Sequence, residues 1–117
     1  MPDITLGAVE TKFAEIVWEN EPLSSGELVK LCQEKLEWKK STTYTVLKKL
    51  CTKGILKNEK GIVTALIKKD DFYSFQSRQF IDENFGGSLP AFLIAFVKKQ
   101  KLSEKETEEI RKMIDSM

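Results

Sequence analysis

Residues 39–50 read KKSTTYTVLKKL, a mixture of hydroxyls and lysines that core packing alone does not require. The hydroxyls of Ser41, Thr42 and Thr45 can exchange hydrogen bonds with base edges and phosphates, and a threonine methyl can pack on a thymine methyl. Lysines suit phosphates, giving affinity and salt dependence rather than sequence choice. If the segment is helical, a turn of 100° per residue puts Thr43, Val46, Leu47 and Leu50 on one side, with Cys51 at the margin. Ser41, Thr45, Lys48 and Thr52 then lie opposite, flanked by Thr42, Tyr44 and Lys49. The pattern predicts a helix anchored by one face that offers the other to double-stranded DNA. Ser41, Thr42, Tyr44 and Thr45 are the candidate base readers. Lys39, Lys40, Lys48, Lys49, Lys53, Lys57 and Lys60 are the candidate phosphate contacts.

The charge distribution supports a polyanion partner more strongly than the net charge of +1 does. Residues 1–37 carry −5, residues 38–69 carry +8 with nine lysines against Glu59, and residues 70–117 carry −2. A basic block between two acidic ones is the footprint of a surface that meets phosphates. Catalysis has little support. The chain has no histidine, no glycine-rich phosphate loop and no cysteine–histidine cluster, so neither metal nor cofactor is expected. Cys32 and Cys51 both fall on apolar seams and read as small core residues rather than a redox pair.

The elements that must position the opening segment can be placed around it. Thr5 is a candidate cap for a first helix whose apolar positions are Val9, Phe13, Ile16 and Val17. Ser24 and Glu27 form a capping-box pair before a second helix with the seam Leu28, Leu31, Cys32 and Leu36. Ser41 and Gly54 bracket a third helix over about 42–53. Two β-prone runs, ILKNE and IVTALIKK, flank Lys60-Gly61 and predict a hairpin. Three helices and a hairpin give a winged helix-turn-helix domain over 1–69.

From Asp70 the character changes, because six of the seven phenylalanines lie beyond it. Asp70, Ser88 and Ser103 are candidate caps for three further helices. Fewer than fifty residues cannot bury that much apolar surface alone, so 70–117 is expected to be a helical dimerisation domain in a homodimer. Its candidate interface residues are Phe72, Phe75, Phe80, Phe85, Leu89, Phe92, Leu93, Phe96, Ile110, Met113 and Ile114. The fold class is mainly α with one small β-hairpin. The longest apolar run, Leu89 to Val97, is less than half of the roughly 20 residues a membrane span needs. No secretory signal opens the chain, and a cytoplasmic address with no membrane partner is expected.

Trp18, Pro22 and Trp38, with STTYTVLKKL, KGIL, FIDENFGGSLPAFLIAF and LSEKETEEI, resemble the penicillinase repressor family of BlaI/MecI/CopY type over roughly residues 7–115. The resemblance implies a dimeric bacterial transcriptional repressor that binds an operator through its third helix. The family's DNA-facing threonines map onto Thr42 and Thr45, and its basic recognition-helix position is Lys49 here. Three departures stand out: the wing reads GIVTAL without the family's usual tyrosines, Lys49 replaces an arginine, and RKMIDSM lacks the cysteine pairs of the copper-responsive branch. For the β-lactam-responsive branch the resemblance also implies a sensor protease acting on the C-terminal domain, with Ala95-Phe96 at the matching position. From the residues alone, a competing class is a winged-helix module whose polar face meets an acidic protein.

Overall fold

Helix α1 (Ala8–Asn20) begins at Gly7 rather than Thr5, because the Glu10 carboxylate reaches back to accept from the Gly7 amide at 3.2 Å. The computed structural model describes residues 4–117. Strand β1 (Leu23–Ser24) follows, then α2 (Ser25–Leu36), α3 (Lys40–Thr52), β2 (Leu56–Glu59), β3 (Ile62–Ala65), α4 (Lys69–Phe85), α5 (Leu89–Val97) and α6 (Glu104–Asp115). The fold is the expected mainly helical winged helix-turn-helix followed by helices.

Ser24 caps α2, its hydroxyl accepting from the Glu27 amide at 3.1 Å. The chain leaves α2 through Glu37 in the left-handed region, and Trp38 then stacks on Phe13 at 5.6 Å. That stack pins the turn between α2 and α3 to α1. Helix α3 starts from the extended backbone of Lys39 without a side-chain cap, so Ser41 lies inside the first turn instead of closing it. Thr43, Leu47 and Leu50 are buried, as the 100° rotation predicts.

The sheet has three strands in the order β1-β3-β2, all antiparallel. Lys60 and Gly61 both adopt positive φ, at 53° and 81°, the twist that a two-residue hairpin requires. Strand β1 adds a third member, pairing Leu23 with Val63 and Ser24 with Ile62. Val63, Leu56 and Ile55 point into a core shared with Phe13, Val17, Leu28 and Leu50.

The described residues divide into two compact units, one that ends at Ser77 and one that runs from Arg78 to Met117. The first unit includes the first turns of α4. Trp18 of α1 packs on Phe72 at 5.3 Å, and its indole Nε1 donates to the Ile67 carbonyl at 3.0 Å. Tyr73 donates from its hydroxyl to Glu15 Oε1 at 2.8 Å, and Glu21 Oε1 accepts from the Ala65 amide and the Lys68 ammonium. These bonds weld the end of the wing and the first turns of α4 to α1. Phe72 is fully buried there, which corrects its assignment to the dimer interface: it is a core residue of the first unit.

In the second unit Ser88 caps α5, accepting from the Ala91 amide at 3.1 Å. Ser103 and Glu106 close a reciprocal capping box on α6. Phe85 and Phe92 meet edge to face at 5.5 Å, with Phe80 and Phe96 beside them. Neither α5 nor α6 has a buried residue, and Phe80, Leu89, Ile94, Phe96, Met113 and Ile114 are exposed in the single chain.

Candidate nucleic-acid interface

The outward face of α3 carries Ser41, Thr42, Tyr44, Thr45, Lys48, Lys49 and Thr52, all exposed. The anchoring below it is complete: Leu47 and Leu50 sit in the core, and the Thr43 hydroxyl bonds back to the Lys39 carbonyl. Such a helix can press on a duplex without giving way. The Thr45 hydroxyl donates to the Ser41 carbonyl at 2.9 Å, which leaves its oxygen lone pairs free to accept.

The flanks of this face are set by the neighbouring elements. On one side the Tyr44 hydroxyl meets Ser25 Oγ at 3.2 Å, at the start of α2. The Ser25 amide in turn donates to the Gly61 carbonyl at the wing tip, at 2.8 Å. Tyr44, the front of α2 and the wing are thus linked through one residue. On the other side, α1 meets α3. Glu10 Oε2 lies 3.1 Å from the Lys49 ammonium, and Glu10 Oε1 lies 3.9 Å from that of Lys53. Burial pushes the Glu10 carboxyl up, but the Gly7 amide and the two lysines outweigh that and hold it below the usual carboxylate value.

The candidate lysines therefore divide. Lys39, Lys40, Lys48 and Lys60 are exposed and make no ion pair among the described residues. Lys57 is exposed but shares its charge with Glu59 at 2.9 Å on the same strand, a contact that also lowers the Glu59 pKa. Lys49 is paired yet keeps 59% of its side chain exposed. Lys53 is turned inward, donating to the Thr5 carbonyl at 2.8 Å with only 19% of its side chain exposed. That placement removes Lys53 from the residues offered to a phosphate. The sequence reading also missed Ser25 and Glu10, because nothing local to either shows which part of α3 it will meet.

The two cysteines take no part in this surface. Cys32 is fully buried and Cys51 half-buried, and desolvation pushes both thiols above the ordinary cysteine value, although bonds from Thr43 and Asn58 oppose it. Among the described residues no single helix is long and apolar enough to cross a membrane.

Comparison with known proteins agrees with this architecture. The sequence model of the penicillinase repressor family matches residues 6–116. The chain is 25% identical to a penicillinase repressor of Staphylococcus aureus, covering 97% of this chain and 94% of that protein. It is also 25% identical to the methicillin resistance regulatory protein MecI of Staphylococcus aureus strain Mu50, over 94% and 93% of the two chains. A penicillinase repressor of Bacillus licheniformis is 23% identical over 91% of this chain and 86% of its own length. With a winged helix-turn-helix fold and a family model that matches residues 6–116, the chain belongs to the penicillinase repressor family of transcriptional repressors.

Proposed function

We propose that the protein is a cytoplasmic dimeric repressor whose two copies place their α3 helices in successive major grooves of a pseudo-palindromic operator. The observation that carries this reading is the α3 face itself, exposed and polar above a fully packed underside. Ser41, Thr42, Tyr44 and Thr45 lie toward the start of α3, the end from which a recognition helix reaches base edges. Lys39, Lys40 and Lys48 on or beside α3, with Lys57 and Lys60 on the wing, meet phosphates. Lys49 meets the duplex from a position shared with Glu10. Dimerisation uses the exposed apolar faces of α5 and α6 together with Phe75 and Phe80. Repression then follows by occlusion, since a dimer seated over a promoter excludes polymerase.

Salt dependence tests the phosphate assignment. Each neutralised phosphate contributes about 0.9 to the slope of log affinity against log salt. Lys48→Gln is expected to flatten that slope by about one per protomer and to weaken all sequences alike. An unchanged slope would remove Lys48, and with it the assigned face, from the contact surface.

The same reading supplies a regulatory partner, a β-lactam-linked sensor protease that cuts the second unit. Ala95 and Phe96 lie in the last turn of α5 and are both exposed. Cleavage between them would split the apolar surface that holds two copies together. Loss of operator binding in cells given the inducer, with the 95–96 bond intact by mass spectrometry, would count against this site.

A further inference from the structure

Helix α1 reaches the recognition helix through one carboxylate. Glu10 Oε1 accepts from the Gly7 amide at 3.2 Å and lies 3.9 Å from the Lys53 ammonium, while Oε2 lies 3.1 Å from that of Lys49. Oε2 is shielded from solvent and has no hydrogen bond of good geometry, so the Lys49 charge is what balances it. Lys53 is further committed to the Thr5 carbonyl. The recognition helix thus meets DNA with part of its lysine charge already answered from within the chain.

We propose that Glu10 is a positioning residue for DNA recognition, holding the Lys49 ammonium at the edge of the α3 face and withholding Lys53, so that sequence-independent attraction to phosphate is kept low. The inference rests on the reading of α3 as the DNA-contacting helix. Its physical basis is competition. A lysine paired at 3.1 Å with a shielded carboxylate gains less from a phosphate than a free one does, whereas hydroxyl contacts to base edges are unaffected by that pairing. Non-specific binding depends almost wholly on phosphate neutralisation, so restraint of this kind widens the ratio of specific to non-specific affinity. Lys49 keeps a fixed place because its partner is itself fixed, capping the first turn of α1 through Gly7.

Glu10→Gln tests this directly, because the amide oxygen can still accept from Gly7 while the charge is removed. Binding to a random-sequence duplex is followed by fluorescence anisotropy from low to physiological salt, with a melting curve as the check on folding. The variant is expected to bind random DNA about three- to tenfold more tightly at physiological salt, with a slope steeper by about one per protomer. Glu10→Asp, which keeps the charge, is expected to restore a slope close to that of the original chain. A slope that does not change in the folded Glu10→Gln variant, or random-DNA binding that weakens, overturns the proposal. If Glu10→Gln does not fold, Lys49→Gln decides: it should flatten the slope clearly less than Lys48→Gln does, and an equal loss overturns the proposal. An original chain that binds no duplex at all overturns the reading of α3 itself, a result distinct from a failure confined to Glu10.

Discussion

Phe72→Ala destabilises the first unit by about 3–5 kcal/mol, the cost of emptying a fully buried aromatic site. The ring is enclosed by Trp18 at 5.3 Å and Tyr73 at 5.2 Å; the Trp18–Ile67 bond holds the segment before α4 to α1, and the Tyr73–Glu15 bond holds the first turns of α4. Those bonds fix the walls, so the site cannot collapse freely around a smaller side chain. A domain of this size is stable by only about 5–15 kcal/mol, so the change consumes a large share of it. Urea denaturation followed by tryptophan fluorescence reads the effect directly, since Trp18 is the neighbouring fluorophore. A loss confined to dimer affinity, with the unfolding midpoint unchanged, would return Phe72 to the interface.

Ile114→Asp produces the opposite pattern. Ile114 is 56% exposed and Met113 59% exposed in the single chain, so an aspartate there costs the isolated fold little. In a dimer that buries the α6 stripe, the same carboxylate is desolvated without a partner, at a cost of several kcal/mol. A rise of at least about a hundredfold in the dimer dissociation constant follows, since 1.4 kcal/mol is tenfold. Operator affinity falls with it, because linking two half-site readers makes the second contact intramolecular and is worth about a hundred- to ten-thousandfold. Sedimentation equilibrium and operator titration measure the two losses on one preparation. A variant that remains dimeric at micromolar concentration would move the interface away from α6.

The α3 face could be read from rotation alone, since its apolar and polar sets fall on opposite sides and the burial of Thr43, Leu47 and Leu50 follows. The Lys60-Gly61 turn was equally local, because two positive φ angles in succession suit few residue pairs. The capping hydroxyls of Ser24, Ser88 and Ser103 were legible for the same reason. Strand β1 escaped notice because two residues show no alternation, and its existence depends on β3 arriving alongside.

Phe72 was misplaced for a different reason. It stands in sequence with the phenylalanines of the second unit, but the indole of Trp18, more than fifty residues earlier, takes it into the first. Lys53 shows the same limit: it lies in a run of lysines suited to phosphates, and only the meeting of α1 with α3 turns it inward. Ser41 has the right chemistry for a helix cap, yet Lys39 opens α3 and leaves that hydroxyl on the outward face. Contacts between distant elements decided the cases of Phe72 and Lys53.

In the proposed repressor, two copies of α3 read one DNA sequence together. Selection of bound duplexes from a random library by the purified full chain, at about physiological salt where non-specific affinity is weak, puts this joint reading to the test. The expected product is an inverted repeat whose half-sites lie a whole number of helical turns apart, as two-fold symmetry requires. Recovery of duplexes with no shared sequence would contradict the claim and leave the polar face of α3 as a surface for an acidic protein.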